Sequence, residues 1–169
     1  RIQVNRQRVT RLRDLLGHFR TTVFGPDDLR LIKGGPGDRR GWIDDLLVDL
    51  HPGNHALRGD LDRILRQRNT LLKQFAERNS FDRDALEVYN EQLVAHGKRI
   101  HKRRSELVEQ FIPEFQRYYA FISGKAEEVS IDYRSQLNDN DFGLLLGEAL
   151  VKDRMLQYTT VGIHKDDLR

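Results

Sequence analysis

The chain contains no cysteine, which excludes disulfide bonds and thiolate metal sites and is typical of a reducing cytoplasm. No stretch approaches the roughly 20 consecutive apolar residues that a membrane-spanning helix needs, so we expect no membrane partner. The first residues are charged and precede no apolar block, so no signal peptide is expected. The missing initiator methionine leads us to expect a fragment.

Charged residues are abundant instead. They make up 33% of the residues, and hydrophobic residues make up 38%. The length of 169 residues is enough for about one folded domain. The net charge is only +3, but basic residues concentrate at 39–40, 63–73 and 98–104. Such patches permit binding to nucleic acid, and they are equally typical of solvated helices.

Hydrophobic periodicity predicts short strands and helices in the first 35 residues. Alternation over 1–9 indicates two strands joined by a turn at Asn5-Arg6, and Thr10 is a plausible N-cap for a short helix. The β-branched and aromatic stretch 19–24 predicts a further strand. Pro26 then suits the first turn of a short helix, which is expected to end at Gly34.

From residue 38 the pattern is helical for nearly ninety residues, with breaks at 51–53 and 79–80. The last of the three predicted helices keeps a seven-residue apolar repeat in which Gly97 and Arg104 are weak members, and Pro113 is expected to kink it. Adjacent helices with such seams should pack antiparallel as a hairpin resembling a short coiled coil.

The last forty residues return to mixed structure. Alternation over 129–133 predicts a strand, Asn140 is expected to cap a helix over 141–155, and 158–163 is expected to form another strand. The fold class is therefore α+β and mainly helical, with an antiparallel helical lobe inserted between strands.

Three segments carry a family resemblance. The first, VFGPDDLRLIKGGPGDRR over 23–40 followed by Asp44, is similar to a RecF pattern of V-x-F-x-P-[ED]-D-L, L-I-K-G-x-P and a paired R-R. The second, LRQRNTLLK over 65–73, resembles the Q-R-N-x-L-L-K helix of that family. The third, TVGIHKDDL over 160–168, resembles T-x-G-P-H-[RK]-D-D-L, with Ile163 where the family usually has proline. Their order and spread indicate a RecF-like chain.

The resemblance implies an ABC-type ATPase head of the SMC class that carries a compact helical lobe. Residues 1–35 and 125–169 would belong to the head, and 36–124 would form the lobe. RecF family members are expected to bind ATP and Mg²⁺, to dimerise on ATP, and to bind DNA at single-strand gaps. They act with RecR and RecO to support recombinase loading in DNA repair, replication, recombination and the SOS response. The implied location is the bacterial cytoplasm, at the nucleoid.

The nucleotide-binding motifs of such ATPases do not occur in this sequence. The P-loop G-x-x-x-x-G-K-[ST] is absent, because the glycine-rich stretch 34–40 has no Lys-Ser or Lys-Thr pair to hold phosphate and Mg²⁺. The ABC signature and the acidic Walker B strand are absent too. Since phosphoryl transfer needs positioned phosphates and metal ions, we expect this chain alone to be inactive as an ATPase and to hold no nucleotide. We identify no catalytic residue.

Asp27 and Asp28 fall where the resemblance places the loop between the nucleotide site and the helical lobe. One hypothesis is that either carboxylate senses nucleotide or its metal ion. The alternative is that both stabilise the N-terminus of the short helix that follows.

The basic residues of the three patches are candidate DNA contacts. Arg39 and Arg40 would contact DNA phosphates or a carboxylate of a neighbouring subunit; the alternative is an ion pair with Asp44 or Asp45 on the same helix. The complete candidate set is Arg39, Arg40, Arg63, Arg66, Lys73, Lys98, Arg99, Lys102, Arg103 and Arg104. The alternative for the helical members is a solvated surface, and Arg68 lies too near the apolar seam to join them.

A metal site is not expected, because the pattern His164-x-Asp166-Asp167 at a strand end is weak support for one. A rival function remains open, namely a helical scaffold that binds only protein. Salt separates the two functions, since phosphate contacts weaken steeply as salt rises and an apolar helix interface does not.

Overall fold

The computed structural model describes residues 3–11, 15, 22–23 and 25–169. Five helices dominate it: α1 (Arg30–Lys33), α2 (Pro36–Leu50), α3 (Asn54–Glu77), α4 (Arg83–Ile122) and α5 (Phe142–Leu156). Four strands of two residues each pair antiparallel, β1 (Gln3–Val4) with β2 (Gln7–Arg8), and β3 (Tyr133–Arg134) with β4 (Asp167–Leu168). Short 3₁₀ helices cover Pro26–Leu29 and Ile163–Lys165. The mainly helical α+β class that the sequence predicted is confirmed.

The first hairpin turns where the sequence placed it. Asn5 and Arg6 have φ angles of 51° and 69°, the left-handed values that a two-residue hairpin turn requires. The helix predicted after Thr10 and the strand predicted over 19–24 lie largely outside the described residues. The break expected at Gly34 is present, but it lasts only two residues. Pro36 already begins α2, and the Gly35 N–H donates to Oδ2 of Asp38 at 3.0 Å.

Helices α3 and α4 form the predicted antiparallel hairpin and make the most extensive helix–helix contact. Their 24 and 40 residues are joined by a five-residue turn, and α4 is about 60 Å long. It continues through Pro113 as one helix. Leu61 and Ile64 from α3 meet Leu93 and Ile100 from α4 in a buried core, which is what the three- and four-residue apolar spacing predicts.

The third layer of this core comes from α5, which packs across the hairpin at Gly97. A Cβ atom at that position would lie 2.5 Å from Cε1 of Phe142, whose ring is 1% exposed. The absence of a side chain at Gly97, a weak position of the heptad repeat, therefore leaves the space in which α5 packs against the hairpin.

The helix predicted over 141–155 is present as α5, whereas the two strands predicted in the last forty residues need correction. Of the expected strand over 129–133, only Tyr133 is in a ladder, as the first residue of β3, and 158–163 forms no strand. The backbone N–H groups of Thr159 and Thr160 donate to side chains at 2.8 Å instead of to a neighbouring strand, and Gly162 turns the chain with a φ of 117°. These bonds satisfy the backbone without a ladder.

The N-cap of α5 is Asp141 and not Asn140. Its Oδ1 accepts from the N–H groups of Gly143 and Leu144, whereas the Asn140 amide donates to the carbonyl of Gln136. A carboxylate at this place also favours the helix dipole. Among the helices that the structure describes, none combines the length and the apolar composition needed to cross a lipid bilayer.

Candidate functional site

The three sequence segments that carry the family resemblance come together in space. The third motif, 160–168, together with Thr159 before it, is called the 159–168 segment below. This segment contacts the arginine pair of α2 and the Arg68 region of α3 through polar side chains, with Arg104 of α4 between them. Two clusters result, each centred on an arginine that is almost completely buried.

The Arg104 cluster consists of Arg104, Asp44, Asp166 and Tyr133. The Arg104 side chain is 4% exposed and binds Asp44 in a bidentate manner, with both N···O distances at 2.8 Å. Its Nη1 donates to Oδ2 of Asp166 at 3.0 Å and to the carbonyl of Ile163 at 2.9 Å. The planar guanidinium fork therefore joins α2, α4 and the 159–168 segment at one point.

Electrostatics keep this arginine charged. Burial opposes the charge of Arg104, yet hydrogen bonds and the charge of Asp44 raise its pKa overall. Burial raises the pKa of Asp166, while hydrogen bonds from Tyr133 and Ser135 and the charge of Arg104 act in the opposite direction. The Tyr133 hydroxyl donates to Oδ2 of Asp166 at 2.5 Å, and burial raises the pKa of this phenol too. The cluster thus pairs one cation with two carboxylates and one neutral phenol.

Arg39 and Arg40 extend the contact between α2 and the 159–168 segment. Arg39 donates from Nε and Nη2 to the two carboxylate oxygens of Asp167, at 2.7 and 3.1 Å. This hydrogen bond lowers the pKa of Asp167. Arg40 donates to the backbone carbonyl of Asp166 at 2.6 Å, and burial lowers its pKa. Both arginines are therefore engaged by residues more than 120 positions away along the chain.

The Arg68 cluster consists of Arg68, Asn69, Asn90, Asp153 and Thr159. Arg68 and Asp153 have fully buried side chains that pair at 2.8 Å, and Arg68 also donates to Thr159 and to Asn90 at 2.8 Å. Asn69 completes the contact, because its Oδ1 accepts from both the N–H and the hydroxyl of Thr159. This cluster ties α3 and α5 to the start of the 159–168 segment.

His164 lies between the two clusters as a neutral side chain. Its Nε2 is 3.1 Å from the carbonyl of Thr159, and burial lowers its pKa to about 4. Asp166 and Asp167 are occupied by arginine partners, as described above. In the described part of the chain, no group of three metal-ligating side chains is gathered.

Comparison with known proteins identifies the family of the chain. No protein-family model matches the chain. A Flavobacterium johnsoniae protein named DNA replication and repair protein RecF is 40% identical over 155 residues, which covers 92% of this chain and 43% of that protein. The protein of the same name from Acidothermus cellulolyticus is 37% identical over 181 residues, covering 99% and 49%. The chain belongs to the RecF family.

The fold agrees with that of a RecF structure. A solved structure described as the recombination mediator protein RecF-ATP in the RecFOR pathway superposes with a TM-score of 0.88 at 28% identity, over 99% of this chain and 47% of that one. This chain thus spans less than half the length of the relatives that it matches.

The basic residues predicted as DNA-binding candidates occupy very different places. Arg104 is buried, and the guanidinium groups of Arg39 and Arg40 are bonded to the 159–168 segment. The bridge from this pair to Asp44 or Asp45 on the same helix, expected as the alternative, does not form. These three arginines hold the fold together at the motif contacts.

The other candidates lie on the helical hairpin. Arg63 pairs with an aspartate one turn away at 2.8 Å, and Lys98 pairs with the α5 cap at 2.7 Å. Lys102 is 3.8 Å from Glu106, and its side chain is 77% exposed. Arg103 is half-buried. The candidates that are exposed and make no ion pair with the described residues are Arg66, Lys73 and Arg99.

Asp27 and Asp28 are both exposed in the first turn of the 3₁₀ helix Pro26–Leu29. Oδ2 of Asp28 accepts from the Gly25 N–H at 2.6 Å, so this carboxylate caps the helix N-terminus. Asp27 makes no corresponding bond with the described residues. The capping alternative therefore accounts for Asp28, and nucleotide sensing stays a prediction for both.

Sequence reasoning missed the partners of the two central arginines. Arg68 and Arg104 each fall on the apolar face of a predicted helix, and an arginine is rarely buried there without a carboxylate partner. That signal could have pointed to buried acids elsewhere in the chain. It could not have chosen Asp153 or Asp166 among the 26 acidic residues.

Proposed function

We propose that this chain forms the helical lobe, together with two adjoining parts of the ATPase head, of a RecF protein that binds ATP and DNA. The lobe would comprise 36–124, and the head parts 1–35 and 125–169. In the proposed role the whole protein supports recombinase loading at single-strand gaps together with RecR and RecO. The family membership and the names of the relatives support this role.

The observation that carries the proposal is the joining of the lobe to the 159–168 segment through the Arg104 and Arg68 clusters. Asp44, Arg68 and Asp166 belong to the RecF-like patterns of the sequence, whereas Arg104 and Asp153 lie outside them. Each cluster is buried and multiply bonded. Such contacts make the lobe and the adjoining segment move as one body. A nucleotide-dependent movement in the head would then be transmitted to the lobe.

DNA binding would use the exposed cations of the hairpin. Arg66 and Lys73 are seven residues apart on α3, and Arg99 and Lys102 are three apart on α4, so each pair shares a helix face. Neither pair is neutralised by a close carboxylate, apart from the distant contact of Lys102 with Glu106. These pairs would contact phosphates without reading base sequence.

The test is fluorescence anisotropy with gapped duplex DNA over a range of salt concentrations. The expected result is binding that weakens with salt, with a log–log slope that falls by about 0.9 for each phosphate contact removed. Arg66→Glu with Lys73→Glu, and Arg99→Glu with Lys102→Glu, should each flatten that slope. Lys125→Glu with Lys152→Glu is the charge-matched control, because both side chains are exposed and lie outside α3 and α4. Equal slopes for all variants would show that these hairpin residues do not contact DNA.

A protein-only scaffold is the second candidate function, favoured by the long antiparallel hairpin. It predicts no DNA binding even at low salt, together with a partner interaction that changes little with salt. Pull-down with purified RecR and RecO at low and moderate salt separates it from the first function.

Nucleotide chemistry would belong to the whole RecF protein, with ATP and Mg²⁺ and an ATP-dependent homodimer. Asp27 and Asp28 are proposed to report nucleotide state from the head to the lobe. Asp27→Asn and Asp28→Asn in a full-length RecF should change ATP-dependent dimerisation without changing the unfolding midpoint. Measurable ATP turnover by this chain alone would contradict the proposal.

A further inference from the structure

A groove lies between the α3–α4 turn and the last turns of α5. Its volume is about 420 Å³, within the range of roughly 300–1,000 Å³ that is typical of binding pockets. Leu72, 1% exposed, forms its floor, and the rings of Phe75 and Phe81 meet edge to face at 5.4 Å beside it. The groove is apolar at its base and open to solvent.

One wall of the groove is an exposed apolar stripe on α5. Val151 and Met155 line the groove and are 70% and 77% exposed. Leu144, 69% exposed, lies seven residues before Val151 on the same helix face, but the exposed Glu148 lies between them, so the apolar stripe consists of Val151 and Met155. A stripe with this spacing matches the way in which an amphipathic helix lies in a groove. Methionine adapts its shape to such partners.

The rim of the groove is positively charged. The Arg154 guanidinium lies 4.2 Å above the ring of Phe81 and makes no ion pair with the described residues. Asp82 of the turn is engaged as the N-cap of α4, and Glu77 does not line the groove. Arg78, Arg83 and Lys152 also lie at this end, but so do the exposed carboxylates of Asp84 and Glu148. The positive charge of the rim therefore comes from Arg154, the charged side chain among the described lining residues.

We propose that this groove docks an acidic amphipathic helix of a partner protein. The apolar side of that helix packs on Val151 and Met155, and a carboxylate at its edge pairs with Arg154. Ring stacking holds this guanidinium at the rim, which makes it a preformed partner for a carboxylate. The combination of apolar floor and basic rim selects against basic or uniformly polar helices.

The probe is a labelled helical peptide about 15 residues long, with leucines at i, i+3, i+4 and i+7 and glutamates beside them. We expect anisotropy to show saturable binding to the 169-residue chain. Arg154→Glu and Val151→Asp should each weaken that binding at least about tenfold. Lys102→Glu on α4 carries the same charge change as Arg154→Glu and should leave binding unchanged. Both groove residues are exposed, and equal urea midpoints confirm that the variants are folded.

Two comparison peptides decide the chemistry. A shuffled peptide of the same composition should bind at least about tenfold more weakly, and so should a peptide with lysine in place of glutamate. Equal binding of the shuffled peptide would reduce the effect to charge alone and overturn the proposal. Absence of binding by the acidic helix would also overturn it. So would concentration-dependent self-association that Met155→Asp abolishes, because a second copy would then cover the groove.

Discussion

Replacing Arg104 with methionine should destabilise the fold more than any other single loss of charge on α4. The change removes four hydrogen bonds and leaves Asp166, at 1% side-chain exposure, without its ion pair. Asp44, at 12% side-chain exposure, keeps only its longer contact with Arg58 at 3.8 Å. Breaking a buried pair by removing one partner costs about 3–5 kcal/mol. That is a large fraction of the roughly 5–15 kcal/mol by which a domain is stable.

Urea unfolding followed by far-ultraviolet circular dichroism measures this loss. With a urea dependence of roughly 2 kcal/mol per molar, the midpoint should fall by about 2 M. Lys102→Met is the matched control, because it removes a cation from the same helix whose side chain is 77% exposed. Exposed pairs contribute about 0–1 kcal/mol, so the control midpoint should barely move.

A second variant separates charge from packing. Adding Asp44→Asn to Arg104→Met removes the carboxylate that Arg104 binds in a bidentate manner, so the double variant should be more stable than the sum of the single losses predicts. If Arg104→Met unfolds at the same urea concentration as Lys102→Met, the reasoning about a buried ionic centre is refuted. Strict additivity with Asp44→Asn would refute the pairing itself.

Three further predictions concern packing, pH and capping, all measured from urea midpoints. Gly97→Ala should destabilise by about 1–3 kcal/mol because its Cβ meets a buried ring, whereas Gly59→Ala on open α3 surface should stabilise by about 0.5–1 kcal/mol; equal effects would contradict the close approach. Burial lowers the pKa of His164 to about 4 in the folded protein, so its neutral form contributes fully to stability above pH 6.5. That contribution, up to about 3 kcal/mol, is lost as pH falls from 6.5 to 4. His164→Gln should therefore flatten the dependence of the urea midpoint on pH between 4 and 6.5, and an unchanged dependence would exclude His164 as its origin. Asp141→Ala should cost about 1 kcal/mol and Asn140→Ala much less, and the reverse order would restore the capping residue expected from the sequence.

The helical part of the fold was predictable because its signals are local. The three-and-four spacing in α3 and α4 depends on residues that are neighbours on one helix, and the turn between them contains Asn79 with a φ of 47°. Gly35, Pro36 and Asp38 also mark the start of α2 locally, although the glycines made residue 38 the expected start of the helical pattern. Such local patterns predict secondary structure correctly even when no contact between distant parts of the chain is known.

The candidate site was less predictable because its contacts are distant in sequence. The segment 158–163 has the composition of a strand, but Asn69 and Asp153 capture its backbone N–H groups. No sequence feature near 158–163 indicates that Asn69 and Asp153 would accept these hydrogen bonds. The same holds for Arg39, whose carboxylate partner Asp167 lies 128 residues away. The sequence singled out the motif residues but did not show that they bind one another.

The length of chain between the partners of the Arg104 cluster also bears on the order of folding. Asp44 and Arg104 are 60 residues apart, and Arg104 and Asp166 are 62 apart. Contacts across a five-residue turn close small loops, whereas these ion pairs close large ones and are slower to form. The α3–α4 hairpin is therefore expected to fold first and to serve as the template on which the 159–168 segment docks last.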